Sequence, residues 1–286
     1  MSKIKNYIKF TGELLHLYRI RNKCILRDER FSIKNGKVNL HYWKFGRKSE
    51  NLGDYLSSVV VDFMKEYYAL DDSYSCKTKH LYAIGSILQA GRQNATVWGS
   101  GFLDPLTHRL SKYMKYFRKL DIRIVRGPNT RKHLLKLGYK CPEIYGDPAI
   151  LMPLIYKGCC VDKTREYTII KHYTDETPSE YSLNILTNDY KTFIDTILES
   201  KLVISSSLHG IILAEAYGVP AILYKPDNAQ TTLFKFEDYY FSTNRFEFPV
   251  AKSIEEALTL TPCALPELSE IQNNLIKTFP KDLWGK

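Results

Sequence analysis

The segment Ser205-Ser206-Ser207-Leu208-His209-Gly210 carries the densest potential chemistry in the chain. It places three hydroxyls, a run of backbone N–H groups and an imidazole between a β-branched run, Leu202 to Ser205, and a predicted helix over Ile211 to Tyr217. A helix start presents unpaired N–H donors and the positive end of the helix dipole, so it binds anions. An imidazole there suits general acid–base work near neutral pH, although a buried histidine bonded to its neighbours reads the same way. Arg126 leaves the end of another predicted strand just before a Pro-started helix, where a guanidinium grips carboxylate or phosphate. Lys171 and Lys225 end two more strands and are expected to face the same cleft. Glu215, six residues beyond His209 in an apolar stretch, either binds a hydroxyl-bearing ligand, orients a base or sits at the helix surface. Weaker signals are the Asn51-Leu52-Gly53-Asp54 turn, where Asp54 reads equally as an N-cap, and the Gly99-Ser100-Gly101 turn.

These residues fall at turns because the chain repeats one unit: a short apolar run, a Gly- or Ser-containing turn, then an amphipathic helix. Leu40–Trp43, Leu81–Ile84, Thr96–Trp98 and Ile122–Val125 read as strands of a first half. A helix after Asp54 shows Leu56, Val59, Val60, Phe63 and Tyr67 on one face, and a second runs from Pro128 to a stop at Gly138. In the second half Tyr167–Lys171, Leu202–Ser205 and Ala221–Tyr224 read as strands. Helices are expected after the caps Asp189 and Ser253, and from Glu267 to Thr278. Such alternation predicts an α/β protein of two Rossmann-like, doubly wound domains facing a cleft, residues 1–155 and 156–286, joined near Met152–Lys163.

Composition narrows the partners. The 286 residues include 41 Lys and Arg against 31 Asp and Glu, a net charge of +10. Eleven of those cations, against Asp121 alone, lie between Arg109 and Lys140, and a smaller basic run opens the chain. The excess favours an anionic partner. Six cysteines without a CxxC pair or zinc-type spacing argue for free thiols, no metal site and a reducing compartment. Neither a signal peptide nor an uninterrupted apolar span is expected, which places the protein in the cytoplasm. No nucleic-acid-reading motif is present.

The turns come in a telling order. Asn-Leu-Gly-Asp (51–54), Ala-Ile-Gly-Ser (83–86), Val-Trp-Gly-Ser-Gly (97–101), Val-Arg-Gly-Pro (125–128) and Tyr-Gly-Asp-Pro-Ala (145–149) precede Ser-Ser-Ser-Leu-His-Gly-Ile-Ile-Leu-Ala-Glu-Ala-Tyr-Gly-Val-Pro (205–220). This set resembles the polysaccharide pyruvyltransferase family from about Asn51 to Tyr224. The resemblance implies a GT-B-like fold and transfer of a pyruvyl group from phosphoenolpyruvate to two hydroxyls of a sugar. The sugar belongs to a surface polysaccharide, capsule or exopolysaccharide, or its lipid-linked precursor; a cyclic ketal forms and phosphate leaves.

It further implies His209 and Arg126 as catalytic residues; the reading of the turns and strand ends adds Ser205, Ser206, Ser207, Gly210, Lys171 and Lys225 as expected donor-binding residues. By the same reading, Asn51, Gly53, Asp54, Gly99, Ser100 and Glu215 are expected to line the rest of the cleft. Residues 1–155 would take the acceptor and 156–286 the donor. No cofactor is expected, phosphoenolpyruvate being a co-substrate, and no metal is required. Some family members carry arginine directly before Leu-His, where this chain has Ser207. Arg126, Lys171, Lys225 or Arg131 would then hold the donor, or the donor differs. The alternative is a GT-B glycosyltransferase using a nucleotide-sugar, with Glu215 serving the ribose. The basic runs would also suit peripheral contact with the anionic inner membrane face.

Overall fold

The computed structural model describes residues 38–44, 50–71, 79–91, 93–104, 115–116, 118–159, 162–175, 181–226 and 232–285, together with parts of 4–22. The rest of the two basic runs, including Arg109 and Lys112, and part of the expected linker lie outside them.

Two all-parallel sheets form the frame. The first holds β1 (Val38–Leu40), β2 (Lys79–Tyr82), β3 (Ala95–Trp98) and β4 (Leu120–Ile124), side by side in chain order. The second holds β5 (Thr168–Ile170), β6 (Ser182–Leu183), β7 (Val203–Ser205), β8 (Ala221–Tyr224) and β9 (Val250–Ala251), in the order β6-β5-β7-β8-β9. Every residue of β3 and β8 is buried, as strands covered on both faces require. The second sheet is doubly wound, its order reversing between β5 and β7. The first differs from expectation: its described strands advance in one direction, with no reversal.

Helix α1 (Leu52–Tyr67) follows β1, and α2 (Pro128–Lys136) follows β4. The N-cap of α1 is Asn51, not the expected Asp54, which is the third helical residue. The reason is long-range. Asn51 bridges Leu186, and the Leu52 N–H donates to the Ile185 carbonyl at 2.8 Å, so the chain is extended at 51 and turns at once. The buried stripe of α1 is Leu52, Leu56, Val60 and Met64, leaving Val59 and Phe63 half-buried and Tyr67 exposed. It is thus rotated from the stripe predicted by spacing.

The largest apolar cluster is continuous across the expected domain boundary, joining Leu52, Leu56 and Trp98 to Ile170, Ile211 and Leu223. At its centre lies α5 (Leu208–Ala216), preceded by α3 (Met152–Ile155) and α4 (Tyr190–Leu198). Residues Leu208 to Glu215 are all buried, so α5 is surrounded rather than laid on a surface. Its carboxylate, Glu215, accepts from both Nη atoms of Arg245 at 2.6 and 2.7 Å and from Tyr239 at 2.7 Å. Beyond α6 (Phe234–Ser242) and α7 (Ile254–Thr259), α8 (Ser269–Thr278) returns to the first half. There Trp98 Nε1 donates to the Leu275 carbonyl at 2.9 Å. No helix among the described residues is long and apolar enough to cross a membrane.

Removing the partner of a buried charge costs more than the pair itself contributes. Arg245→Ala, which leaves Glu215 charged in the core, should lower stability by about 3–5 kcal/mol. Urea unfolding will show this; a midpoint unchanged from wild type would count against the pair as a core support.

Candidate active site

Ligands in doubly wound sheets bind beyond the carboxyl ends of the strands that flank the reversal. Here those ends are Lys171-His172 after β5 and Ser206-Ser207 after β7, with the first turn of α5 beside them. Two of the three serines are occupied with the scaffold. Ser205 Oγ lies 2.8 Å from the Ile170 and Ser207 carbonyls and accepts the Ser207 N–H at 3.0 Å. Ser206 Oγ donates to Asp175 at 2.7 Å and accepts the His172 N–H at 2.9 Å. Ser207 is the N-cap of α5 without a side-chain capping bond. Gly210 serves packing, since a Cβ there would collide with Ser205 Oγ and Ile170.

His209 faces two residues of the first half. Its Nε2 lies 3.7 Å from Asp147 Oδ2, and both atoms are buried without a hydrogen-bond partner among the described residues. Asp147 is held by accepting the Ala149 N–H on Oδ1 at 3.0 Å. That turn is made possible by Gly99, whose φ of +95° and missing Cβ leave room for Pro148. Neighbouring Ser100 is internal, its hydroxyl donating to the Ala83 carbonyl at 2.6 Å. On its other side the imidazole lies against Gly53, where a Cβ would strike Nδ1.

Asp54 follows Gly53 into the same space. Its Oδ1 would be 2.9 Å from a Cβ on Gly85. Among the described residues, no hydrogen bond reaches its carboxylate. Burial pushes its pKa up to about 6, against the pull of His209 and Lys235. Lys235, on the first turn of α6, is buried, and no hydrogen bond to its Nζ is found among the described residues. Burial and the nearby Arg126 push its ammonium down to about 8, while Asp54 pulls the other way. His172, half-buried near Lys235, is driven down to about 4 by burial and by that charge, so it is neutral at pH 7.

Arg126 is placed otherwise than expected. It is wholly buried, with Nε donating to Asp238 at 3.0 Å, Nη1 to Ser86 Oγ at 2.8 Å and Nη2 to the Phe102 carbonyl at 2.5 Å. Asp238 also accepts the Thr130 N–H at 2.8 Å and the Thr130 hydroxyl at 2.6 Å. This guanidinium fastens α6 to the start of α2 and does not present itself to a ligand. Glu215, bound by Arg245 and Tyr239, is likewise committed to the core and unavailable to a ribose. Asn51 is the cap and bridge described above. Lys171 and Lys225 leave β5 and β8 half-buried. Arg131 pairs with Glu143 at 3.4 Å near the surface.

The chain matches the polysaccharide pyruvyl transferase family over residues 51–228, more than half its length. The chain belongs to this family. Uncharacterized protein L143 of Acanthamoeba polyphaga mimivirus is 29% identical over 277 residues, covering 87% of this chain and 91% of that protein. A crystal structure of an uncharacterized protein from Klebsiella pneumoniae subsp. pneumoniae superposes with a TM-score of 0.51 at 14% identity. It covers 79% of this chain and 94% of the other, a likeness of fold. The wall teichoic acid polymerase TagF superposes at 0.37 with 10% identity, over 97% of this chain and 92% of that one, too loosely to carry an argument. Family membership makes the chain a polysaccharide-modifying transferase.

Asp147 and Lys235 are the site residues that sequence reasoning missed. The Gly-Asp-Pro turn pointed to the first, since an Asp before a Pro-started turn sits at a chain reversal. Nothing local marked Lys235, whose helix was not predicted.

The contact between Gly53 and His209 is testable alone. Gly53→Ala, in a helical backbone that accepts alanine, should push the imidazole aside. The His209 ring resonances would then move while the melting temperature stays close to wild type. Unmoved resonances would contradict the contact.

Proposed function

We infer that the protein transfers a pyruvyl group from phosphoenolpyruvate to two hydroxyls of a sugar in a surface polysaccharide or its lipid-linked precursor, forming a cyclic ketal. The observation that carries this reading is the His209–Asp147 contact, whose facing nitrogen and oxygen are buried without a hydrogen-bond partner among the described residues, with Asp54 and the ammonium of Lys235 in the same region. Burial disfavours the Lys235 ammonium, and a bound anion would favour it. Phosphoenolpyruvate brings two anionic groups. Lys235 and the α5 N–H groups would hold them, with the hydroxyl of Ser207 at hand and Lys171 and Lys225 at the rim. Asp147 orients the His209 ring, and His209 delivers the proton that turns the donor methylene into a methyl group. That leaves C2 open to a sugar hydroxyl. Two parallel sheets meeting at the site suit a GT-B-like arrangement, with 1–155 on the acceptor side and 156–286 on the donor side. No metal or cofactor is assigned. The nucleotide-sugar reading loses its main support with Glu215, whose oxygens are already bonded.

Contact with an anionic membrane belongs to the same reading, because a lipid-linked acceptor lies there in the cytoplasmic case. Residues 7–16 are helical, and Ile4, Tyr7, Ile8 and Leu15, 62–69% exposed, recur on one face. Lys3, Lys5, Lys9, Arg19, Arg21 and Lys23 flank them in the sequence. Apolar stripe plus basic flanks is the composition of helices that lie in the membrane interface. Ile8→Glu should abolish cosedimentation with phosphatidylglycerol vesicles; binding indifferent to this change or to anionic lipid content would refute the contact.

Mass spectrometry of candidate glycans after incubation with phosphoenolpyruvate should show an added pyruvate less one water. His209→Ala should lower turnover by about 10²–10⁴-fold without unfolding the protein. Lys235→Met should chiefly raise KM for phosphoenolpyruvate. In wild type kcat/KM should fall as pH rises through about 8, where Lys235 loses its charge, and Lys235→Arg should remove that limb. Full activity in His209→Ala would end the assignment of that residue.

A further inference from the structure

Ketal formation sets a proton account that one imidazole balances only by giving and taking protons in alternate steps. Two hydroxyl protons are released for each ketal; one proton is consumed at C3 of the donor and one by the departing phosphate. Where the hydroxyl oxygen bonds to C2 as His209 gives its proton to C3, so that no free cation forms at C2, a second group must take the hydroxyl proton. We propose that Asp54 is that group, a catalytic base for the first hydroxyl and the acid for the leaving phosphate. This rests on the pyruvyl-transfer reading and adds a second proton carrier to it.

The placement supports it from several sides. Asp54 is not the cap of α1, since Asn51 holds that position. Its carboxylate has no hydrogen bond among the described residues and lies against the bare Cα of Gly85 at the carboxyl end of β2. It immediately follows Gly53, the residue that touches His209. His209, Lys235, Asp147, Glu50 and Tyr173 are the titratable groups that face it. Glu215 and Asp238, by contrast, have their carboxylates bonded within the protein. With a pKa of about 6 it is ionised at neutral pH yet able to hold a proton during turnover.

The steps balance. The first hydroxyl gives its proton to Asp54 as its oxygen bonds to C2, and the C2–C3 π pair takes the proton of His209. The C2–O bond to phosphate then breaks, phosphate leaving with the electron pair and receiving the proton held by Asp54. The second hydroxyl bonds to C2 and gives its proton to His209. Both groups end as they began. Asp54 comes from the first half and His209 from the second, so the pair straddles the seam where acceptor meets donor.

The test uses the full chain, phosphoenolpyruvate and a panel of p-nitrophenyl hexopyranosides as acceptors, with phosphate release as the rate. Asp54→Asn should bind phosphoenolpyruvate within about threefold of wild type and lose about 10²–10⁴-fold in rate. It should melt no lower than wild type, because it removes a carboxylate whose ionised form burial disfavours. Asp54→Ala should recover rate with added formate, which replaces a proton acceptor and would not replace a merely structural group. The proposal is overturned if Asp54→Asn keeps more than a tenth of the rate or loses donor binding, or if folded Asp54→Ala is not rescued. Wild-type protein that neither binds phosphoenolpyruvate nor releases phosphate with any acceptor would instead sink the pyruvyl-transfer reading, and this role with it.

Discussion

The site depends on a missing side chain. Because residue 53 has no Cβ, the first turn of α1 comes into contact with the imidazole on the first turn of α5. The two helices belong to different halves of the chain, and a Cβ at 53 would occupy the space of the His209 ring. The backbone makes the approach obligatory, since Leu52 donates to Ile185 and Asn51 bridges Leu186. Asp147 closes the other side of the ring at 3.7 Å. A shift on the order of 1 Å in such a constellation is enough to remove most of the advantage of orientation. The continuous core that joins the halves is therefore part of the site's precision.

The buried charges fall into two kinds. Arg126 with Asp238 and Glu215 with Arg245 have their polar atoms answered by the protein. The facing atoms of His209 and Asp147 are buried without a hydrogen-bond partner among the described residues, and no hydrogen bond reaches the charged groups of Asp54 and Lys235 there. A folded chain tolerates unanswered groups of this sort only at a cost of order 1–3 kcal/mol each, which selection removes where nothing is bound. Their clustering is what distinguishes a ligand site from a core, more reliably than residue type. By residue type alone, Arg126 and Glu215 look as functional as Lys235.

That difference also marks how much of the architecture was legible. Strand–turn–helix alternation located the sheets and most helices because parallel strands buried on both faces are short β-branched runs. Asp189 and Ser253 cap α4 and α7 as their types suggest. The order of the turns was sufficient for the family. The Ser-Leu-His-Gly turn lies where the second sheet reverses, although the reversal itself is a matter of strand order, which no local pattern encodes. Helix α6 escaped notice because its buried side includes Lys235 and Asp238 as well as Phe236, Tyr239 and Tyr240, so its hydrophobic period is broken. The same two charged residues are the ones that matter, one for the site and one for its attachment. The role of Asp54 was ambiguous for a different reason: an Asp at a helix start fits a cap, and only the contact with residues 185–186 moves the cap to Asn51.

Some family members carry an arginine directly before Leu-His, where this chain has Ser207; on the pyruvyl-transfer reading Lys235 would supply the cation instead. Lys235 and Asp238 are three residues apart on α6, hence on neighbouring positions of one face. Asp238 is gripped by Arg126 and Thr130, which fixes the helix and with it the ammonium at its first turn. The guanidinium that looked like a ligand for the donor thus fixes the helix that carries Lys235. It also acts through charge, because Arg126 nearby helps keep the Lys235 ammonium less stable than in water. A lysine in this setting is a point charge whose protonation an anion reinforces, whereas an arginine at 207 would be a fixed fork charged at every pH. On the pyruvyl-transfer reading, this chain therefore binds its donor with a cation that titrates close to physiological pH, and the arginine that secures it is never exposed to the substrate.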